Sequence, residues 1–109
     1  MAQDSKILDD LYKTIASRKG TDPEKSYTAK LFARGRGKIA QKFGEEAVET
    51  VVAALSEGKA ELVGESADTL YHLLVLWADC GVEPGQVWTE LARRVGVSGI
   101  DEKKSRAKK

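Results

Sequence analysis

The chain has 109 residues, with 18 basic side chains against 17 acidic ones and a single cysteine, Cys80. This length is enough for one domain with a modest core, and the near balance of charge provides no global field that would attract nucleic acid or a membrane surface. One cysteine excludes an internal disulfide framework and is typical of a reducing compartment, so we expect a cytoplasmic protein.

Two further features support that expectation. The first four residues show no signal-peptide pattern, and the longest apolar run, Leu73–Ala78, is far too short to cross a bilayer. We therefore expect neither a membrane partner nor a nucleic-acid partner.

The first predicted element is an amphipathic helix. Ser5 is the predicted N-cap, and Gly20 closes the segment. The apolar residues between them recur at the spacing that places side chains on one buried helix face. They are Leu8, Leu11, Tyr12 and Ile15.

The next predicted element is a short helix that starts at Ser26, after a loop, and breaks near Gly35–Gly37. One interpretation is a capped helix followed by a solvated basic loop. The other is a lip that binds phosphates through backbone N–H groups and cationic side chains. The candidate substrate-binding residues of this region are Ser26, Tyr27, Thr28, Lys30, Arg34, Arg36 and Lys38.

Two long helices follow, at 38–55 and 60–80, and a turn is predicted at Ser56–Lys59. The apolar stripe of the first consists of Ile39, Phe43, Ala47, Val51 and Ala54. Lys42 precedes Glu46 by four residues, which predicts either an ion pair along the helix or a lysine that reaches substrate phosphates.

Each long helix carries a pair of acidic residues on one face. Glu46 and Glu49 are three residues apart, as are Glu65 and Asp68. If the helices fold back about the turn, the two pairs lie at nearly one level and face each other. Four converging carboxylates are unfavourable without a cation, and oxygen ligands favour Mg²⁺ or Mn²⁺ over zinc. The alternative is that these glutamates lie on solvated helix faces.

The later part of the second long helix is apolar nearly all round, which is typical of a core or a subunit interface. In so small a chain we expect an oligomer interface. His72 lies four residues after Asp68 on the same face, so it is either a ligand or hydrogen-bonding residue of the site or a satisfied interface histidine.

A last helix starts at Pro84 and carries Val87, Trp88, Leu91 and Val95 on its apolar face. Residues 101–109 contain basic residues and no apolar stripe, which predicts a disordered tail. We therefore predict an all-α helical bundle of four to five helices at 1–100, followed by this tail.

Three segments resemble phosphoribosyl-ATP pyrophosphohydrolases. They are Ser26-Tyr27-Thr28, then Lys42-x-Gly44-Glu45-Glu46-Ala47-x-Glu49, and then Glu65-x-Ala67-Asp68-x-Leu70-Tyr71-His72-Leu73-Leu74. The carboxylate pattern alone is shared by the wider all-α nucleotide pyrophosphohydrolase superfamily, which includes MazG-like proteins and dimeric dUTPases. The Ser26-Tyr27-Thr28 segment and the Tyr71-His72 pair narrow the resemblance to the phosphoribosyl-ATP pyrophosphohydrolase branch of that superfamily. The resemblance runs from about Leu8 to Arg106 and is to the stand-alone form without a fused cyclohydrolase domain.

The resemblance implies a bundle completed by homodimerisation and a Mg²⁺-dependent hydrolase of histidine biosynthesis. The reaction is hydrolysis of phosphoribosyl-ATP to phosphoribosyl-AMP and pyrophosphate. The implied metal ligands are Glu46, Glu49, Glu65 and Asp68. Glu45 or Glu49 would take the proton of the attacking water, and Lys42, Lys38, Arg34 or Arg36 would hold the departing pyrophosphate.

Two other interpretations stay open at this point. One is a related house-cleaning enzyme that hydrolyses canonical or damaged nucleoside triphosphates. The other is a non-catalytic helical dimerisation module, which predicts no thermal shift with Mg²⁺.

Overall fold

The structure is a computed structural model that describes residues 4–96 together with residues 99, 103, 104 and 106. Within these residues it contains helices and turns and no β-strand, so the predicted all-α class is confirmed. The helices are α1 Lys6–Ser17, α2 Tyr27–Arg34, α3 Arg36–Ser56, α4 Lys59–Cys80 and α5 Pro84–Arg94. The predicted tail at 101–109 lies mostly outside the described residues, and its disorder stays a prediction.

The start of α1 differs in detail from the sequence-based expectation. Ser5 does occupy the N-cap position, but its side chain makes no capping hydrogen bond. The Asp4 carboxylate instead accepts the backbone N–H of Lys6 at 3.0 Å. A carboxylate near a helix start is favoured by the helix dipole as well as by the unpaired N–H groups there.

The break between α2 and α3 is a single residue, Gly35. We expected a break over Gly35–Gly37, but Arg36 and Gly37 already belong to α3. Gly35 has φ +95° and ψ 170°, a backbone conformation that is essentially restricted to glycine. Because the chain turns at one residue, α2 runs directly into the helix that carries the first acidic pair.

Helices α3 and α4 form an antiparallel hairpin around the predicted turn. The connection is Glu57–Gly58, and the Glu61 carboxylate accepts the backbone N–H of Gly58 at 3.0 Å. This contact satisfies one of the N–H groups that a helix start leaves unpaired. At the far end Gly81 closes α4 in the left-handed conformation, with φ +75°.

The core is formed where α1, α2 and α3 pack on the second half of α4. Its buried hydrophobic residues are Tyr12, Ile15, Leu31, Ile39, Leu74, Val75 and Ala78. The apolar end of α4 was expected at an oligomer interface, but Leu74 and Val75 are at most 1% exposed within the chain itself. That expectation was therefore wrong for these residues, because α1 and α2 supply enough apolar surface to cover them.

Most of the exposed large hydrophobic residues in the described part of the chain lie instead on the hairpin, between Val48 and Leu70 on either side of its turn. Val51, which we predicted as part of the buried stripe of α3, is 56% exposed. Ala54 is exposed as well, while Ala53 is buried in their place. None of the helices in the described part of the chain is long and apolar enough to cross a membrane.

Side-chain hydrogen bonds hold α5 in place. The Tyr12 hydroxyl donates to the carbonyl of Val82 at 2.8 Å, and the Trp88 indole N–H donates to Asp9 at 3.1 Å. The Trp88 ring also meets the edge of Trp77, with centroids 5.9 Å apart. Helix α5 is thereby fastened mainly to α1 and meets α4 through Trp77, and neither α1 nor α5 covers the exposed apolar residues near the turn of the hairpin.

Candidate metal centre

Three carboxylates meet between α3 and α4. Glu46, Glu49 and Glu65 each offer an oxygen atom, and these atoms all lie within 4.8 Å of one another. The three-residue spacing puts Glu46 and Glu49 on one face of α3, and the hairpin brings Glu65 of α4 to the same level. The predicted convergence of the two acidic faces is therefore present for these three residues.

Asp68, the fourth predicted ligand, lies at the edge of this cluster. Its side chain is exposed, and its oxygens do not belong to the group that lies within 4.8 Å. Its negative charge nevertheless contributes to raising the pKa of both Glu46 and Glu65. Asp68 therefore stays a predicted ligand that lies near the other three.

The electrostatics of the cluster are those of crowded like charges. Burial, followed by a hydrogen bond with Glu49 and the charges of Glu49, Asp68 and Glu65, raises the pKa of Glu46 to about 7. Burial, followed by the charges of Glu49 and Asp68, also raises the pKa of Glu65. Each effect disfavours the ionised form of a carboxyl group.

The cluster also contains a buried carboxylate oxygen without a hydrogen-bond partner in the described part of the chain. Oε2 of Glu65 is buried and accepts no hydrogen bond within the described structure. Leaving such an acceptor unpaired is costly. Converging oxygens, raised pKa values and this orphaned atom fit a divalent cation, and an all-oxygen donor set is the one that Mg²⁺ or Mn²⁺ prefers.

Glu45 lies outside the cluster and is already paired. The Gln41 amide donates to its carboxylate at 2.8 Å, and the Lys42 ammonium lies 3.4 Å from it. The hydrogen bond from Gln41, supported by Lys42 and Lys38, lowers the pKa of Glu45. The ion pair of Lys42 is thus formed with Glu45 and not, as its spacing suggested, with Glu46.

An aromatic group connects α2 to α4 beside the acidic cluster. The Tyr27 and Tyr71 rings are stacked, with centroids 6.3 Å apart at 25°, and Tyr71 meets the edge of His72 at 4.9 Å. The hydroxyls of Thr28 and Tyr71 share a hydrogen bond of 2.6 Å. The Ser26 hydroxyl caps α2 by accepting the Ala29 N–H at 3.1 Å. The predicted Ser-Tyr-Thr segment thus packs against the helix that carries Glu65.

His72 is buried, with 5% of its surface exposed. Its Nδ1 lies 2.9 Å from the backbone carbonyl of Asp68, so Nδ1 carries the proton and donates it. Its Nε2 has no partner within the described structure. His72 thus hydrogen-bonds to the backbone of Asp68 and lies buried within the chain, whereas its role as a ligand stays a prediction.

Two of the five predicted basic residues, Arg36 and Lys42, form ion pairs with acidic side chains. Arg36 forms an ion pair with Asp79 at 2.9 Å and also donates to the Asp79 carbonyl at 3.0 Å, which ties the start of α3 to the end of α4. Lys42 is electrostatically close to Tyr27 and Glu46 as well as to Glu45, and the hydrogen bond to Glu45 raises its pKa most. Of the remaining three, Lys30 and Arg34 are exposed and Lys38 is half-buried.

Two residues beside the carboxylates were missed from the sequence. Thr50 and Thr69 follow the acidic pairs directly, one on each helix, and their hydroxyls are 2.7 Å apart between α3 and α4. The available signal was the repeated pattern Glu-x-x-acid-Thr, at Glu46–Thr50 and again at Glu65–Thr69.

A cavity of the molecule lies apart from the acidic cluster. It has a volume of about 770 Å³ and lies between α1 and the start of α5, with Lys6, Asp9, Tyr12 and Glu83 among its lining residues. None of the converging carboxylates lines it. We identify the site from its chemistry, because the cavity contains no comparable cluster of unpaired charged groups.

Comparison with known proteins identifies the family of the chain. The sequence profile of the family described as "Phosphoribosyl-ATP pyrophosphohydrolase" matches residues 8–95. Three similar proteins are each named "Phosphoribosyl-ATP pyrophosphatase". The one from Paramagnetospirillum magneticum is 90% identical over 109 residues, covering 100% of both chains. The one from Rhodospirillum rubrum is 68% identical over 102 residues, covering 94% of this chain and 87% of the relative. The one from Azospirillum brasilense is 62% identical over 109 residues, covering 97% and 98%.

Proposed function

The chain belongs to the phosphoribosyl-ATP pyrophosphohydrolase family, and from this premise we propose that it hydrolyses phosphoribosyl-ATP to phosphoribosyl-AMP and pyrophosphate, the second step of histidine biosynthesis, with Mg²⁺. The observation that carries the proposal is the convergence of Glu46, Glu49 and Glu65, together with Oε2 of Glu65, which is buried and unpartnered within the described residues. Family membership supports the substrate, and the donor set supports the metal.

The acidic residues would hold the ion. Glu46, Glu49 and Glu65 would provide oxygen ligands, and Asp68 would complete the set from the edge of the cluster. When bound, Mg²⁺ or Mn²⁺ supplies positive charge against the phosphate oxygens. The raised pKa values of Glu46 and Glu65 support this role, because a cation would favour the ionised carboxylates that otherwise repel one another.

The hydrolytic step needs a base for one water molecule. A water oxygen forms a bond to one of the two phosphorus atoms of the α–β anhydride, the bond from that phosphorus to the bridging oxygen breaks, and the bridging oxygen leaves with the bonding electron pair. Of the two candidate proton acceptors, we favour Glu49, which lies in the cluster. Gln41 and Lys42 already stabilise the charge of Glu45 and lower its pKa, which makes it a poorer proton acceptor than an unperturbed glutamate.

The basic residues near α2 and the start of α3 would bind the phosphates. Lys42 interacts electrostatically with both Tyr27 and Glu46 and is half-buried, so it is the best supported of them. Lys30, Arg34 and Lys38 would add charge around it. Arg36 would act mainly through its ion pair with Asp79, which fixes the start of α3. Tyr27, which is 53% exposed, would offer a ring face to the substrate, beside Ser26 and Thr28.

We further propose that the protein is a homodimer that uses the exposed apolar surface of the hairpin. Its members are Val48, Val51, Val52, Leu55, Val63 and Leu70, each at least 44% exposed. Exposed apolar side chains concentrated on one hairpin in this way are typical of a protein interface. Val48 precedes Glu49 directly, so a second copy packed here would border the acidic cluster.

We also assign the protein to the cytosol, without membrane or nucleic-acid partners. The single Cys80 is exposed and free, as expected for a reducing compartment. The net charge of +1 supports no electrostatic attraction to polyanions.

Pyrophosphate release by the purified protein tests the function. We expect turnover of phosphoribosyl-ATP with Mg²⁺ and none after chelation with EDTA. Canonical and deoxynucleoside triphosphates are assayed beside it under the same conditions. Preference for those triphosphates would support the house-cleaning alternative, while no turnover and no thermal shift with Mg²⁺ would support the non-catalytic one.

A further inference from the structure

The two acidic segments share more than their carboxylates. Glu46-Ala47-Val48-Glu49-Thr50 and Glu65-Ser66-Ala67-Asp68-Thr69 both follow the pattern Glu-x-x-acid-Thr. Each threonine is four residues after the glutamate of its own helix, so its hydroxyl lies over the carbonyl of that glutamate. In an antiparallel hairpin, two copies of one pattern at one level are related by an approximate twofold axis.

The threonine hydroxyls meet where that axis would pass. The Thr50 hydroxyl lies 2.9 Å from the carbonyl oxygen of Glu46 and 3.1 Å from that of Glu65. The Thr69 hydroxyl lies 3.0 Å from the Glu46 carbonyl and 2.9 Å from the Glu65 carbonyl. The hydroxyls themselves are 2.7 Å apart. All these groups are partly buried, where a hydrogen bond competes little with water.

The arrangement joins the helices in nearly every possible hydrogen-bond pattern. Each hydroxyl has one proton to donate and can accept in return. Only the pattern in which each threonine donates to the carbonyl of its own helix leaves α3 and α4 unconnected. Every other pattern places at least one hydrogen bond between them. The bonded carbonyls belong to Glu46 and Glu65, the residues whose side chains meet in the cluster.

We propose that Thr50 and Thr69 are positioning residues for the metal centre, and that their hydroxyl pair fixes the turns bearing Glu46 and Glu65 relative to each other. The inference rests on the proposed Mg²⁺-dependent function. The threonines themselves do not touch the metal or the substrate. They hold two facing backbones at the separation at which the carboxylates share a cation, as groups behind the ligands of metal sites commonly do.

Valine and serine substitutions separate the hydroxyl from the shape of the side chain. Thr50→Val and Thr69→Val keep the branched side chain and remove the hydroxyl, whereas Thr50→Ser and Thr69→Ser keep the hydroxyl. The matched control is Thr14→Val, since the Thr14 hydroxyl also bonds a carbonyl four residues back, that of Asp10 at 3.3 Å, on a helix without site residues. Two quantities are measured: the Mg²⁺ concentration for half-maximal thermal shift without substrate, and that for half-maximal turnover.

We expect each valine variant to need about tenfold more Mg²⁺ or higher in both measurements. The serine variants and Thr14→Val should remain within about twofold of the wild-type protein, since they keep the site hydroxyls. If a valine variant fails to fold, Thr69→Ala, which removes the hydroxyl without adding a methyl group near a carbonyl, carries the same expectation.

A purely structural role predicts a different result. In that case the valine variants would unfold at lower temperature while their half-maximal Mg²⁺ concentrations stayed at the wild-type value, and the proposal would be overturned. Failure of the proposed function would be seen separately, as a wild-type protein that shows neither a Mg²⁺-induced shift nor turnover.

Discussion

At the scale of single residues, Glu65 and Asp68 differ in a way that mutation can resolve. Glu65 has a buried, unpartnered oxygen inside the cluster, whereas Asp68 is exposed at its edge. Replacing Glu65 by Gln should lower Mg²⁺-dependent kcat/KM by about a hundredfold or more, and Asp68→Asn should lower it by about tenfold to a hundredfold. Circular dichroism should stay helical for both.

The control for these variants is Glu24→Gln, which removes an exposed carboxylate from the loop before α2 and should leave kcat/KM unchanged. Wild-type turnover by Glu65→Gln would remove the cluster from consideration. Wild-type turnover by Asp68→Asn would limit the ligand set to Glu46, Glu49 and Glu65.

Glu46 gives a second residue-scale prediction, which concerns the metal-free protein. Its pKa of about 7 lies above the 4.5 of an unperturbed glutamate. Between these pH values the folded protein holds a proton that the unfolded chain has released, so this residue's contribution to stability falls as the pH rises through the window. Glu46→Gln has no such proton, and its thermal midpoint relative to wild type should therefore rise from pH 4.5 to about 7.

The measurement is thermal unfolding of both proteins in EDTA across that pH range. Parallel curves for the two proteins would contradict the prediction. Addition of Mg²⁺ should then stabilise wild type more than Glu46→Gln, because the variant lacks one charged ligand.

At the scale of elements, the joint between α2 and α3 depends on one backbone conformation. Gly35→Ala should destabilise the protein by about 1–3 kcal/mol, because φ +95° with ψ 170° is accessible essentially to glycine alone. Gly37→Ala is the matched control: it lies within α3, a Cβ there meets open space, and alanine favours the helix by about 1 kcal/mol. Urea unfolding measures the free energy of unfolding of both variants. Equal stability of Gly35→Ala and wild type would contradict the positive φ at Gly35.

The elements themselves were largely predictable from the sequence. The turn at Glu57–Gly58, the long helices beside it and the meeting of Glu46 and Glu49 with Glu65 follow from apolar spacing and from the helix-breaking residues. The early start of α3 was not predictable, because two glycines close together gave no indication of which one the helix would accept. The threonine pair was missed because a hydroxyl in a helix usually bonds only its own helix.

At the scale of the whole molecule, the exposed hairpin surface predicts the oligomeric state. Val51→Glu combined with Leu55→Glu should convert a dimer to a monomer. The two native side chains are 56% and 83% exposed in the single chain, and a dimer formed through this surface would bury the two introduced carboxylates without partners. Sedimentation velocity measures the change. The control is Leu91→Glu, a comparably exposed leucine on α5, which should leave the dimer intact.

A double variant that sediments like wild type would show that this surface is not the interface. The position of the exposed apolar surface could not be derived from the sequence, because an apolar helix face does not reveal which neighbouring element covers it. The apolar end of α4 and the hairpin surface near the turn look alike as sequence. Only the packing of α1 and α2 distinguishes the covered one from the uncovered one.

The hairpin has a consequence for how the protein folds. All the candidate ligands lie between Glu46 and Asp68, on either side of one short connection, so bringing them together requires only a small loop to close. Contacts of low sequence separation form early and rapidly. We therefore expect the metal centre to assemble as an autonomous folding unit ahead of the docking of α1 and α5, and amide protons of α3 and α4 to become protected first in pulse-labelled hydrogen exchange.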